Sequence, residues 1–446
     1  MKIENLEIFL YLCSMLINEQ TRAFIRQHRD DDVRRLALQG ARDESIDLPM
    51  ALQQIAGWQT ARKKLPSWAA NEGIVYPPHL NMEQCSSEQT ARYKQQLVAR
   101  LVSEGRVNDS IDADEMDYYV DLTGGLGVDF YWMSQGFKQR CYVEQNAVLC
   151  TLAEHNFREL GLACSVCRGT ASAYMTQMQR VGVVFIDPAR RNEQGGRTYS
   201  IEDCTPNVLE LLPELLKKAH FIVIKLSPML DWRKAASDLK HVQEVHIVSV
   251  ANECKELLLV LSQEHTEQLT LTCVNNNTVF KAVPSTGTHA TKYWYDEYQL
   301  LVRTVPTIGK NLVLASESAS ESASTAISYL FEPNASIMKA GCFAELQQQY
   351  PVCQLSANSH LFVSNTDIDD FPGRRFQILA ISSMNKQELK TVLSGIQQAN
   401  ISVRNFPLSA EQLHKKLKLK DGGDVYIFAT TLADGQHRML ICRKIG

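Results

Sequence analysis

The stretch Val120-Asp121-Leu122-Thr123-Gly124-Gly125-Leu126-Gly127-Val128-Asp129 decides the fold. The apolar run Tyr118 to Leu122 reads as a buried central strand, and the glycines that follow let the backbone approach a ligand more closely than side chains would permit. A helix then begins, so backbone amides at its start face whatever lies above the strand. The spacing is Gly-Gly-x-Gly rather than the Gly-x-Gly-x-x-Gly of a dinucleotide site, and no Lys-Ser or Lys-Thr follows as a phosphate loop requires. Taken alone, the turn fits a nucleotide-type cofactor site or a tight strand-helix connection without a ligand.

The next strands narrow the choice. Arg140 to Val143 forms a short apolar strand ending at Glu144, where an acid can reach the hydroxyls of a ribose. A third strand near Ser165 to Cys167 leads to Gly169-Thr170, and a fourth, Val183 to Ile186, stops at Asp187-Pro188-Ala189-Arg190-Arg191. Proline cannot continue a central ladder, so the fourth strand ends with a carboxylate at the sheet edge where open α/β folds bind ligands. A helix over Pro206 to Ala219 and a strand Phe221 to Ile224 ending in Lys225-Leu226-Ser227-Pro228 come next. Two strands, Glu244 to Val250 and Glu256 to Leu261, are joined by a turn too short for a crossover. The pattern predicts a doubly wound, mostly parallel sheet with one antiparallel strand, which is unlike a dehydrogenase sheet.

Over roughly Ile111 to Ser262 the chain resembles the class I S-adenosylmethionine-dependent methyltransferases. The resemblance implies S-adenosyl-L-methionine as cofactor, with Asp121, Thr123, Gly124, Gly125 and Gly127 around its methionine part. It also implies Glu144 on the ribose, Gln145 and Thr170 beside the adenine, and Asp187-Pro188 at the point of methyl transfer. The chain departs from the family pattern in having Thr170 in place of an Asp near the adenine amino group, and Ala189 in place of a second proline or aromatic residue.

Five further phrases widen the likeness: Ile74-Val75-Tyr76-Pro77-Pro78-His79-Leu80, Glu83-Gln84-Cys85-Ser86-Ser87-Glu88, Asp187 to Arg191, Phe331-Glu332-Pro333-Asn334-Ala335 and Lys418-Leu419-Lys420-Asp421-Gly422-Gly423. Together they resemble a bacterial methyltransferase family with a ferredoxin-like domain and a C-terminal THUMP-like domain, covering most of the chain beyond Glu19. The resemblance implies an RNA substrate, a tRNA or rRNA. The expected division is an N-terminal helical region at 1–105, the methyltransferase domain at 106–265, the ferredoxin-like domain at 266–371 and the THUMP-like domain at 372–446.

Composition is compatible with that division. A chain of 446 residues with 45% hydrophobic content can bury several cores. The apolar segment Ile8 to Ile17 is too short to span a bilayer and lacks the basic flank of a signal peptide, so it reads as a buried helix or as residues upstream of a start at Met15. Twelve scattered cysteines in a chain of this kind suggest reduced thiols and a cytoplasmic location. The Cys164 and Cys167 pair lies across a strand with no second pair at zinc-ribbon spacing, so core packing is expected and no metal.

Charge is uneven. From Pro372 to Gly446 there are twelve Lys and Arg against five Asp and Glu, a balance of +7, leaving −11 over residues 1–371. A basic end on an acidic chain suits a polyanionic partner. Its densest part, His414-Lys415-Lys416-Leu417-Lys418-Leu419-Lys420, reads on sequence either as an RNA-binding face or as a solvated helix face with Leu413 and Leu417 turned inward. The family resemblance favours RNA, with Lys415, Lys416, Lys418 and Lys420 on phosphates. In the middle region, Leu269 to Asn275, Ala326 to Phe331 and His360 to Val363 are expected as strands and Ser336 to Gln349 as a helix, while the Ser, Ala and Glu repeat at 315–325 has nothing to bury and reads as a loop. Helices are expected over Gln53 to Lys64 and Ser87 to Ser103, with Glu83 to Lys94 placed to cover the cofactor edge or simply to pack.

Methyl transfer from a sulfonium is an in-line displacement that chiefly requires positioning and dry surroundings. Asp187 and the Pro188 carbonyl suit an acceptor nitrogen on a base, and Arg190 or Arg191 suit a neighbouring phosphate or else a surface ion pair. Carbon methylation is the rival chemistry; it needs a cysteine nucleophile, for which Cys204 is the candidate, while Ser227 stands where uridine-C5 methyltransferases carry theirs. The other class left open is an RNA-binding or scaffold protein with a methyltransferase-like fold and no turnover.

Overall fold

The computed structural model describes residues 17–40, 43–107, 112–190, 201–264, 268–284 and 327–446, with the Arg190 side chain also outside the description. Arg191, the repeat at 315–325, Met15 and all but the last residue of the apolar segment 8–17 therefore lie outside the described residues. The chain divides into two compact units, Met1–Val248 with Lys255–Leu269, and Ser249–Cys254 with Thr270–Gly446.

In the first unit, helices α1 (Glu19–His28), α2 (Val33–Gln39), α3 (Leu48–Lys64), α4 (Pro66–Ala69), α5 (His79–Gln84), α6 (Glu88–Val107) and α7 (Ala113–Met116) precede the sheet. Then come β1 (Tyr118–Asp121), α8 (Val128–Met133), β2 (Gln139–Glu144), α9 (Ala147–Glu159), β3 (Ser165–Arg168), α10 (Ala171–Gln177) and β4 (Val181–Ile186). A two-strand ladder of β5 (Ala189–Arg190) and β6 (Cys204–Thr205) is followed by α11 (Val208–Lys218), β7 (Ala219–Leu226), α12 (Trp232–Leu239), β8 (Val242–Val250) and β9 (Glu253–Ser262).

Within this unit the strands lie in the order β3-β2-β1-β4-β7-β9-β8. The pairs β1 with β2, β1 with β4, β2 with β3 and β4 with β7 are parallel, and β9 runs against β7, with Leu226 opposite Leu257. The sheet is the doubly wound, mostly parallel one expected, and its strand order reverses beside β1, which opens a crevice at the C-terminal strand ends. All six residues of β4 are buried, as a strand covered on both faces requires.

The Ile74 to Tyr76 phrase is clamped from both sides. Asn156 of α9 exchanges two hydrogen bonds with the Val75 backbone at 3.0 and 2.9 Å, and Gln54 of α3 does the same for Tyr76 at 2.8 and 2.9 Å. Pro77 and Pro78 then turn the chain into α5, whose end delivers Gln84, Cys85 and Ser86 to the strand-end crevice.

The second unit contains the hairpin β10 (Thr270–Asn275) and β11 (Thr278–Ala282), then β12 (Tyr329–Pro333), α13 (Ala335–Ala340), α14 (Phe343–Gln349), β13 (Cys353–Gln354), β14 (Phe362–Ser364) and β15 (Gly373–Ser382). It ends with α15 (Lys386–Val392), β16 (Asn400–Arg404), α16 (Ala410–Leu417), β17 (Val425–Thr431) and β18 (His437–Ile445). One seven-stranded sheet, β13-β14-β12-β15-β18-β17-β16, carries all of these strands except the hairpin. The helix expected over Ser336 to Gln349 is two helices: Gly341 takes a left-handed φ of 66° and closes α13 by donating to the Ile337 carbonyl. Glu332, buried in β12, accepts from Arg374 at 2.6 Å and from Arg404 at 2.8 Å, which ties β12 to β15 and β16 and accounts for an acid in an otherwise apolar strand.

Candidate active site

The ends of β1, β2, β4 and β7 open onto one cleft of about 980 Å³. Its walls bring together Asp121, Thr123, Gly124, Gly125, Gly127, Glu144, Gln145, Thr170, Asp187 and Pro188, every residue that sequence assigned to cofactor or catalysis. Cys204 and Ser227 also line it, as do Asn81, Gln84, Cys85 and Ser86 from the N-terminal region.

The three glycines of the opening turn do different work. An added Cβ at Gly124 would lie 2.1 Å from the Tyr142 ring, and one at Gly127 would lie 2.5 Å from the Phe157 ring, so both positions are small because aromatic rings pack beneath them. Gly125 has φ 55° and its Cβ would meet only the Thr123 carbonyl at 3.8 Å, so this residue faces open space. Its N–H donates to Glu144 Oε2 at 2.9 Å, while Glu144 Oε1 accepts from Asn146 N at 2.8 Å. Two backbone amides thus aim the Glu144 carboxylate along the cleft wall, and each oxygen keeps a lone pair. Thr170 caps α10 by accepting from Ala173 N at 3.2 Å.

Asp121 is buried and accepts from Thr123 N at 2.9 Å. Desolvation pushes its carboxyl well above the usual carboxylate range, with Asp129 and Asp187 adding like charge. The Thr123 hydroxyl in turn accepts from Asp187 N at 2.7 Å, fastening the acid-Pro segment to the glycine turn.

Sequence reasoning missed what lies behind Asp187. Ile186 and Ile224 are partners in the parallel β4 and β7 ladder, so the next residue on each strand, Asp187 and Lys225, emerges side by side. Lys225 Nζ lies 2.5 Å from Asp187 Oδ2, 3.1 Å from Ser86 Oγ and 3.2 Å from Asp129 Oδ2. Behind it, Lys94 Nζ contacts Asp129 Oδ1 at 3.1 Å, Ser86 Oγ at 3.2 Å and Glu256 Oε2. Burial disfavours the Lys225 ammonium, but Asp129, Asp187 and Glu256 outweigh it and hold the group protonated. Burial likewise opposes the Asp129 carboxylate, and Lys225 with Lys94 overcomes that and lowers it below the usual range. Lys94 was legible as an anomaly: it falls on the same stripe of α6 as Ala91, Val98 and Leu101, all buried.

The remaining sequence candidates lie elsewhere. Lys415, Lys416, Lys418 and Lys420 are exposed on and after α16 in the second unit, with Leu413 buried beneath and Lys415 paired to Glu411 at 2.7 Å. Among the described residues no group of three or more His, Cys, Asp or Glu is placed to hold a metal ion, and no helix is long and apolar enough to cross a membrane. Cys141 and Cys167 approach to 3.3 Å across β2 and β3, and Cys164 packs against the core beside them.

The fold and the cleft define a class I methyltransferase architecture. Residues 373–444 match a THUMP domain-like family and residues 329–372 a ferredoxin-like domain family. A proposed methyltransferase from Porphyromonas gingivalis W83 aligns over 96% of this chain and 98% of its own, with 30% identity and a TM-score of 0.75. The chain belongs to the same family, class I S-adenosylmethionine-dependent methyltransferases with a ferredoxin-like domain and a C-terminal THUMP-like domain. The O-methyltransferase of Bacillus cereus, solved with SAH, aligns over 46% of this chain and 90% of its own at 13% identity and a TM-score of 0.31. A proposed RNA methyltransferase from Pyrococcus horikoshii aligns over 45% and 94% at 14% identity and a TM-score of 0.30; neither likeness carries weight for function. No curated protein matches the sequence significantly.

Proposed function

We propose that the protein transfers a methyl group from S-adenosylmethionine to a nitrogen of an RNA base. The observation that carries this reading is the Thr123 to Asp187 hydrogen bond of 2.7 Å, which fixes an acid-Pro segment against a glycine turn in one cleft. The residues present fit that cofactor. Gly125 leaves open space where a ligand can meet the backbone, Glu144 presents a carboxylate suited to ribose hydroxyls, and the cleft wall is rich in acids that suit a cation. When bound, the cofactor supplies an electrophilic methyl group on a sulfonium.

The chain's own contribution is placement and hydrogen bonding. The Asp187 carboxylate accepts one N–H of the acceptor amine and the Pro188 carbonyl a second, turning the nitrogen lone pair toward the methyl group. Glu144 holds the ribose side, Gly125 leaves room for the methionine part, and the segment after α5 with Ser86 forms the cleft wall that keeps water out. The basic second unit binds the RNA backbone through Lys415, Lys416, Lys418 and Lys420, and Arg190 or Arg191 holds a neighbouring phosphate. Cys204 lines the cleft, so the covalent carbon route is tested directly: Cys204→Ala retaining full turnover excludes it.

Nucleoside mass spectrometry of tRNA and rRNA from cells lacking the gene tests the reading. One missing N-methylated nucleoside, restored by the wild-type gene and not by Asp187→Ala, supports it, and an unchanged nucleoside profile refutes it. Calorimetry with S-adenosylmethionine checks the cofactor separately: wild type binds, Glu144→Ala binds more weakly, and absence of wild-type binding overturns the enzyme reading.

A further inference from the structure

We propose that Lys225 is a positioning residue, whose ammonium, anchored by Asp129 and Ser86, grips the Asp187 carboxylate and aims it at the acceptor nitrogen. The inference rests on the acceptor role of Asp187 given above. Its geometry is specific. An ammonium has three N–H bonds, and Lys225 has three oxygen partners at 2.5, 3.1 and 3.2 Å. With all three donors engaged, it has none left for a phosphate or the cofactor, and its protonated state excludes it as a base.

The network behind Lys225 fixes its position. Lys94 also meets three oxygens, on Asp129, Ser86 and Glu256, and the Ser86 hydroxyl lies 2.7 Å from Asp129 Oδ2. Side-chain exposure falls from 37% at Asp187 through 12% at Lys225 and 10% at Asp129 to 0% at Lys94, so Asp187 is the most open of these members to the cleft that Lys225, Asp129 and Ser86 also line. The groups facing this pair are Asp121 from β1, Asp129 from α8, Lys94 from α6 and Glu256 from β9, with Cys85 and Cys204 on the cleft wall.

Burial lifts the Asp187 carboxyl above the usual carboxylate range, with Asp129 and Glu256 reinforcing the rise and Lys225 limiting it. Removing Lys225 therefore protonates Asp187 at higher pH, whereas removing the Asp129 charge makes Asp187 easier to ionise.

The test is carboxyl NMR of full-length protein labelled with 13C-aspartate, with the Asp187 signal assigned from Asp187→Asn, across Lys225→Met and Asp129→Asn. The expected result is an Asp187 midpoint raised by at least about one pH unit, tenfold in proton affinity, in Lys225→Met and lowered in Asp129→Asn. A Lys225→Met midpoint equal to that of the wild type in a folded protein overturns the proposal. Should Lys225→Met fail to fold, Lys225→Gln takes its place, and an Asp187 midpoint equal to that of the wild type in that variant does the same. In parallel, methyl incorporation from tritiated S-adenosylmethionine into total tRNA and rRNA of cells lacking the gene is followed against pH. Its acid limb moves with the NMR midpoint in each folded variant, and a limb that stays fixed while the midpoint moves overturns the proposal. No incorporation by the wild type refutes the methylation reading, while the NMR arm still decides the role of Lys225.

Discussion

Gly125→Ala separates the cofactor cradle from the fold that supports it. Gly125 has φ 55°, a left-handed conformation that costs an alanine about 1–2 kcal/mol, and its new methyl group meets no atom nearer than 3.8 Å. For a domain of this size that lowers Tm by roughly 2–8 °C, leaving the protein folded at room temperature. The methyl group projects into the space where a ligand would lie against the backbone, so affinity for S-adenosylhomocysteine falls by at least about tenfold, or about 1.4 kcal/mol. Gly127→Ala behaves differently. Its φ of 85° carries similar strain, and its Cβ would stand 2.5 Å from the Phe157 ring, adding about 1–3 kcal/mol of overpacking. The sum, about 2–5 kcal/mol, removes much of a typical domain's stability. Calorimetric titration and thermal melts on both variants provide the check. Wild-type binding by Gly125→Ala would refute the cradle, and equal melting losses in the two variants would refute the division between packing and approach.

Lys94→Met leaves Asp129 and Glu256 short of one buried counter-ion and should destabilise the first unit by about 3–5 kcal/mol; a loss under about 1 kcal/mol in denaturant melts contradicts the network. Glu244, 2.5 Å from Arg100 and 2.9 Å from His246, is pulled down to about 2 although burial alone would raise it. Because its folded value lies below the unfolded one, its stabilisation, on the order of 2–3 kcal/mol, is complete above about pH 4.5 and lost as pH falls toward 2. Glu244→Gln should flatten that limb of the stability profile, and an unchanged limb contradicts the assignment. Replacing Lys416, Lys418 and Lys420 together by Ala should lower the slope of log K against log salt for total tRNA by about 2, since each phosphate contact with single strands contributes about 0.7. An unchanged slope removes these lysines from the interface.

The sheet was legible because its signals are local. A buried parallel strand is a run of apolar residues, and here each run stops at a glycine, an acid or a proline that the strand end requires. Tyr118 to Asp121, Gln139 to Glu144 and Val181 to Ile186 each show this, so the cleft walls follow from reading each strand to its end. The break at Gly341 was less legible, since the residues on both sides favour helix and only the left-handed Gly341 and the non-helical Cys342 separate α13 from α14.

The charge network shows why the rest was hidden. Lys94, Ser86, Asp129, Lys225 and Glu256 come from a helix, a loop, a second helix and two strands, and their sequence separations reach 170 residues between Ser86 and Glu256. No spacing rule links them. What sequence does carry is misfit: a lysine on the buried stripe of α6, and another at the inner end of β7, where Ile222, Val223 and Ile224 are fully buried. Burying a charge is costly without a partner, so two lysines at core positions require carboxylates from elsewhere in the chain. Asp129, just after the glycine turn, and Glu256, at the start of an apolar strand, are among the acids that stand at equally unfavourable core positions. Matching misfits of opposite sign would have predicted the ion pairs without their geometry. The parallel register that sets Asp187 beside Lys225 then turns a structural ion cluster into one that reaches the cleft.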